Sequence, residues 1–310
     1  MNGLRDKKSN NPLTIKELVN SVPLYTFCAF ADAHIDICGF FTNAERHWSE
    51  ALSFAEKSGV EFILLAGDTV TNASGADEEW EVFHRVIRES GCKIPVHTSN
   101  GNHDLRCGTH IGQQSFLRAR SLEKPYFSFS EKSTGDLFIF MAIEGDYDPS
   151  CTDQFSEEQL LWVEKLIDEN YGKRRIFLIE HCPIESFGVG VCAHGVLLSE
   201  KFGSTKRLKG LLEKYKDLIF LSGHSHEDFS VGNNYTNLNG SACHMLHIPA
   251  LAGSALKTED GGLDYNDGEG YNAQGYYVEV FENRVVFNGV DVESGELLPE
   301  YKFEVSVRLQ

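Results

Sequence analysis

The run Phe62-Ile63-Leu64-Leu65-Ala66 constrains what this chain can fold into more than any other stretch. Five apolar residues between Glu61 and Gly67 predict a strand buried on both faces, so layers must cover it above and below. Asp68 follows at once, and the chain then turns away through Thr69-Val70-Thr71-Asn72. In open α/β sheets the crevice past the carboxyl end of a central strand is where ligands sit. A carboxylate buried there is costly unless a cation pairs with it. Standing alone, Asp68 would read better as a turn former or a helix N-cap. It does not stand alone.

Other strand candidates end in the same way. Leu24–Ala31 runs into Asp32-Ala33-His34, and Ile94–Thr98 into Gly101-Asn102-His103-Asp104. Arg175–Glu180 delivers His181, and Leu218–Ser222 delivers Gly223-His224-Ser225-His226. Amphipathic helices lie between them. One is opened by a Thr42/Glu45 capping box and carries Trp48, Ala51, Leu52 and Ala55 on one face. Another carries Trp80, Phe83 and Ile87 and stops at Gly91. The first hundred residues thus alternate strand and helix, the pattern of parallel βαβ units.

Further on, Tyr126–Ser130 and Leu137–Ile143 predict an antiparallel pair, and Ser156-x-x-Gln159 caps a helix with Leu160, Leu161, Val163 and Ile167 inward. A glycine-rich loop, Ile184–Gly203, precedes a basic helix over Thr205–Tyr215. Strands are expected at Tyr276–Phe281, Arg284–Asp291 and Tyr301–Val307. The acidic segment Glu259–Gly270 reads as a mobile loop whose spacing fails the calcium-loop pattern at Gly268. The organisation expected is a polar lead-in (1–22, with a short helix around Thr14–Val19) and one domain over 23–310, β-rich from about 230.

Charge and cysteine usage narrow the function. With 310 residues and a formal net charge of −18, the chain lacks the Lys/Arg excess that neutralising a phosphate backbone requires, so nucleic acid is not expected as a partner. The eight cysteines form no C-x-x-C pair, which argues against a zinc ribbon or a dithiol redox site and for free thiols. No apolar run reaches transmembrane length, and the polar N-terminus leads into no apolar signal region. The expectation is a soluble cytoplasmic protein whose oligomeric state the sequence does not specify.

Five strand ends therefore carry metal-capable side chains. Residues i and i+2 of an extended chain project to one side, so Asp32 with His34, and His224 with His226, are expected to reach a common cluster. Asn102 and His103 are adjacent and are expected to diverge. Glycines 67, 101 and 223 would let the backbone approach closely.

The ordered set Asp32-x-His34, Gly67-Asp68, Gly101-Asn102-His103-Asp104, His181 and Gly223-His224-x-His226 resembles the calcineurin-like metallophosphoesterase family. The resemblance implies a four-layer α/β/β/α sandwich with two mixed sheets. It implies a dinuclear centre with Asp32, His34, Asp68 and His226 on one ion, and Asp68, Asn102, His181 and His224 on the other. Nitrogen and oxygen ligands without thiolate suit Mn, Fe, Zn or Co. Two divalent ions less two aspartates leave a charge of about +2 for a phosphoryl oxygen and a hydroxide. The implied reaction is phosphoester hydrolysis by a metal-bridging hydroxide, with His103 protonating the leaving group. Asp104 is a candidate for orienting that ring, although adjacent residues rarely meet well.

The family's protein phosphatases carry an aspartate and an arginine where this chain has Thr71 and Asn72. That departure, with the acidic charge, favours a small phosphodiester or nucleotide-like substrate. The alternatives are a phosphomonoesterase or protein phosphatase, then a nuclease or a non-catalytic scaffold. Arg106 and His194 are candidate substrate contacts, with Asp36 and His110 on neighbouring loops. His47, His84 and His97 read as packing or surface residues, His244 and His247 as lying off the site, and Cys182 as pointing away from it. Specificity is expected in 104–125, 184–203 and 259–270.

Overall fold

The computed structural model describes residues 22–71, 76–191, 197–260, 262–265, 272–307 and 309. The expected helix at Thr14–Val19, Asn72 and His194 lie outside them.

In chain order the elements are β1 (Tyr25–Phe30), α1 (Ala44–Ser58), β2 (Phe62–Ala66), α2 (Ala76–Ser90), β3 (Val96–Ser99), α3 (Thr109–Arg120), β4 (Phe127–Ser130) and β5 (Leu137–Phe140). There follow α4 (Glu157–Asn170), β6 (Ile176–Ile179), α5 (Gly203–Lys214), β7 (Ile219–Ser222), β8 (Tyr235–Thr236) and β9 (His244–His247). The chain closes with β10 (Ala255–Lys257), β11 (Leu263–Tyr265), β12 (Gln274–Val280), β13 (Arg284–Asp291) and β14 (Glu296–Ser306).

Two six-stranded mixed sheets result, ordered β14-β13-β12-β1-β2-β3 and β4-β5-β6-β7-β9-β8. Strands β1, β2 and β3 are mutually parallel, as are β5, β6, β7 and β9. The antiparallel strands flank them.

Period-two alternation along the central strands builds the layers. Phe27, Ala29, Phe62 and Leu64 face the second sheet, where Phe138, Phe140, Phe177, Ile219 and Leu221 meet them. The intervening residues Cys28, Phe30, Ile63 and Leu65 face outward onto Trp48 and Leu52 of α1 and Trp80 and Phe83 of α2. Ile139, Ile176, Leu178 and Phe220 do the same against Leu160 and Val163 of α4 and Leu208 and Leu211 of α5. Each fully buried side chain of this size contributes about 1.5–3 kcal/mol. Between the sheets the rings interlock: Phe138 stacks on Phe177 at 4.4 Å, and Phe27 meets Phe138 edge-on at 5.5 Å. The architecture is the α/β sandwich of two mixed sheets flanked by helices that the sequence led us to expect.

Four local expectations are corrected: to begin with, Leu161 of α4 is exposed, not inward. The α1 N-cap is Asn43, not Thr42; the preceding loop is instead held by Asp36, whose carboxylate accepts backbone N–H groups of Cys38, Phe40 and Phe41. Within Glu259–Gly270, Leu263–Tyr265 is a strand, because it can pair antiparallel with Ala255–Lys257. The last strand begins earlier than Tyr301, at Glu296, with a register shift at Asn288/Gly289 that accommodates its extra length. The other caps agree: Ser156 accepts from Gln159 N, and Gly91 follows α2 with φ 73°. Among the described residues no helix is long and apolar enough to cross a membrane.

Candidate metal centre

The carboxyl ends of β1, β2, β3, β6 and β7 converge on one cluster. Its local backbone is not what alternation implied. Asp32, His34, Asp68, His224 and His226 all have positive φ, between 44° and 72°. Asp32 with His34, and His224 with His226, therefore share a cluster through left-handed turns past the strands, not through extended projection. Asp and His tolerate this region better than most residues. Three glycines let the turns close up, and at Gly101 a Cβ would run into Asp68. A Cβ on Gly67 would lie 2.5 Å from Nδ1 of His181, and one on Gly223 would lie 2.6 Å from Asp32 Oδ2.

The donor atoms sit close together. His181 Nε2 is 3.1 Å from Asp68 Oδ2 and 3.9 Å from Asp32 Oδ1. His226 Nε2 is 3.4 Å from Asp32 Oδ1 and 3.0 Å from His34 Nε2. Asp32–His34–His226 and Asp32–Asp68–His181 each place three candidate donors within 4.8 Å of one another, and so do His34–Asp68–His103 and His181–Cys182–His224. Cys182 therefore does not point clear of the site, as expected for a residue following His181. Its sulfur comes near the two histidines while packing in the outer core, and burial pushes its thiol well up.

These residues fit cations. Asp32 Oδ1 and Asn102 Oδ1 are buried without a hydrogen-bond partner, and Asp68 Oδ2 has His181 Nε2 beside it at 3.1 Å, an arrangement that favours a cation among them. Backbone carbonyls set two ring tautomers. His181 Nδ1 donates to Ala66 O at 2.7 Å and His226 Nδ1 to Gly253 O at 2.6 Å, so each Nε2 is turned inward as a potential ligand. Burial pushes Asp32 up to about 8. At His181 burial acts in the opposite sense, and the Asp68 and Asp32 carboxylates outweigh it and hold the ring up to about 10. So much negative charge keeps either a proton or a metal cation on that nitrogen. The clusters are consistent with two divalent metal ions.

A cavity of about 150 Å³ opens onto this cluster, lined by Asp68, Asn102, His103, Tyr147, Asp148, His224 and His226. Asn102 and His103 do not diverge from it: both line it, because His103 opens a single 3₁₀ turn instead of continuing a strand. His103 N donates to Asp68 Oδ1 at 2.7 Å. Asp104 does not orient the His103 ring. Its buried carboxylate accepts from Gly101 N at 2.7 Å and Val70 N at 3.0 Å, which locks the β2 and β3 turns together.

Arg106 lies at the rim, its guanidinium over the rings of Phe40 and Tyr147. His47 is buried between Leu251 O and Glu293, His97 stacks on Phe129, and His244 bonds Tyr235; none lines the cavity. Tyr147, Asp148 and Phe41, which stacks on His34 at 4.3 Å, escaped sequence reasoning. So did the carbonyls of Ala66 and Gly253. No residue pattern marks them, since each arrives from a loop or as backbone.

The model of the family described as calcineurin-like phosphoesterase matches residues 25–228. A curated protein, "Probable glycerophosphodiester phosphodiesterase GpdQ" of Arcobacter nitrofigilis, is 25% identical over 176 residues. That match covers 54% of this chain and 56% of that protein, so the chain spans about half the length of the relative. A dimetal phosphatase from Danio rerio superposes with a TM-score of 0.66 at 13% identity, covering 92% of this chain and 99% of that one. Purple acid phosphatase PPD1 from yellow lupin seeds gives 0.61 at 16%, over 91% of this chain and 53% of the other. These two likenesses concern the fold.

Proposed function

The chain belongs to the calcineurin-like phosphoesterase family, and on that premise we propose that it hydrolyses a small phosphodiester or nucleotide-like ester with two divalent metal ions. The observation that carries this reading is Asp68, whose carboxylate belongs to two donor groups at once, with Oδ2 buried against His181 Nε2 at 3.1 Å. Asp32, His34, Asp68 and His226 would hold one ion; Asp68, Asn102, His181 and His224 would hold the other. Bound there, the ions supply positive charge for the phosphoryl oxygens and an activated water.

The chain's own residues do the rest. Asn102 brings a neutral amide oxygen and so leaves the local positive charge intact. His103 faces the cavity beside Asn102 and is placed to protonate the departing oxygen: its N–H bond breaks, the alcohol O–H forms, and the P–O electron pair leaves with that oxygen. Thr71 has no carboxylate to offer His103 and spends its hydroxyl on His34 O at 3.2 Å. This supports a diesterase over a protein phosphatase, as do the acidic charge and the curated relative's name. The described cysteines are all free thiols, which suits a cytoplasmic setting.

A panel of phosphomonoesters, phosphodiesters and nucleoside pyrophosphates, assayed with added Mn²⁺, tests the reading. We expect a small diester to be cleaved fastest. A phosphoserine peptide or duplex DNA cleaved faster than every small diester would overturn it.

A further inference from the structure

Tyr147 lies at the meeting of the two sheets. It sits in the loop after β5 of the second sheet, whereas His103 follows β3 of the first. Asn100 ties the two together, its side chain exchanging hydrogen bonds of 2.9 Å with both N and O of Ile143. The loop itself is fixed by Glu144, which accepts from Ser156 N and from the Gln159 amide. On this support the Tyr147 hydroxyl comes to 3.3 Å from His103 Nε2, with the rings edge-on at 5.2 Å. The Arg106 guanidinium packs over the Tyr147 ring at 5.7 Å and over the Phe40 ring at 5.8 Å.

We infer that Tyr147 is a positioning residue for the leaving-group side of the site: its hydroxyl fixes the Nε2 edge of His103, and its ring, with Arg106 packed against it, is the wall against which the organic half of the ester lies. The inference rests on the reading that His103 faces the departing oxygen. A hydroxyl suits the task because it can share Nε2–H with the departing oxygen in a three-centre hydrogen bond while that proton is passed to the oxygen, and donate to bare Nε2 afterwards. The ring is thereby held in one orientation through both states, and Tyr147 surrenders no proton. Burial holds its phenol above the usual value, in keeping with a neutral hydroxyl.

The test compares wild type, Tyr147→Phe and Tyr147→Ala, each metal-loaded, on an alkyl phosphodiester and a p-nitrophenyl phosphodiester. Losing one hydrogen bond to a group that matters only for a poor leaving group should lower kcat of Tyr147→Phe about 5–10-fold on the alkyl ester and less than about 2-fold on the p-nitrophenyl ester, with KM unchanged. Tyr147→Ala should in addition raise KM for both, because the wall is gone. A second readout needs no turnover. In ¹⁵N-histidine spectra of the metal-free protein, Tyr147→Phe should move the His103 Nε2 resonance, identified by its loss in His103→Ala. An equal loss of rate on both esters, or an unmoved resonance, overturns the role of Tyr147 alone. A wild type inert to every phosphoester overturns the proposed function and this inference with it.

Discussion

At the end of the sandwich away from the candidate metal centre, Asp136 is as deeply buried as Asp32 and Asp68. Asp136 precedes β5, Arg175 precedes β6 and Tyr25 begins β1, so these three mark the amino ends of the parallel strands, whereas the candidate ligands follow their carboxyl ends. There the charge is answered from within. Asp136 Oδ2 is 3.0 Å from Arg175 Nη1 and accepts from the Tyr25 hydroxyl at 2.9 Å, and Arg175 also donates to the carbonyls of Phe281 and Glu282. One end closes its buried carboxylate with the chain's own guanidinium. The other leaves carboxylate oxygens facing a cavity with histidines around them. A buried charge is therefore informative about function only when its partners are counted: satisfied, it belongs to the architecture, and unsatisfied it asks for a ligand.

The contrast breaks most visibly at Asp68. Asp68→Ala should cut phosphoesterase activity by at least about 10²–10³-fold, since charge stabilisation by metal is worth several kcal/mol. Bound metal should fall below two equivalents, and added metal should raise the melting temperature of wild type but not of this variant. Two equivalents retained by elemental analysis would remove Asp68 from both ions.

Stability should respond in opposite senses at the two ends. Arg175→Met leaves Asp136 buried without its cation and should destabilise the fold by about 3–5 kcal/mol in denaturant titrations. Asp32→Asn in the metal-free protein replaces a carboxyl that burial already pushes towards its protonated form, so its unfolding midpoint should hold or rise. If Asp32→Asn proved as damaging as Arg175→Met, the distinction between the ends would collapse.

The smallest effect concerns protons. His97 lies in the inter-sheet edge near Phe62 and Phe129, and burial, followed by the Arg120 charge, pulls it down to about 4. Between the unfolded value of about 6.5 and this lower one, the unfolded chain binds the proton and the folded chain does not. His97 therefore favours folding above that window, and the contribution is lost as pH falls through it, by up to about 1 kcal/mol per pH unit. Measured on metal-free protein, His97→Phe should flatten the stability slope between those pH values; an unchanged slope would show that His97 titrates normally.

Much of the centre was legible because its motifs are short and local: an apolar run, then Asp or His. The layers were legible for the same reason, since periodicity in β1, β2, α1 and α2 is written within ten residues or so. What escaped depends on distant pairing or on backbone state. Nothing in Gln274–Val280 says that it lies beside β1, some 250 positions earlier, because that choice is made by non-local packing. Tyr147 reaches His103 only through the Asn100–Ile143 link between sheets, and no spacing encodes it. The extended geometry assumed for Asp32-x-His34 failed because the strand stops at Phe30.

That left-handed backbone also limits how the site can change over generations. At Asp32, His34, Asp68, His224 and His226 a substitution is judged twice, once for its candidate ligand atom and once for its tolerance of positive φ. A β-branched replacement would add about 1–2 kcal/mol of backbone strain to the loss of a ligand. Asn or Gly would escape most of that second penalty. Descendants that abandon metal while keeping the fold should therefore drift towards Asn and Gly at these five positions, and rarely towards Val or Ile.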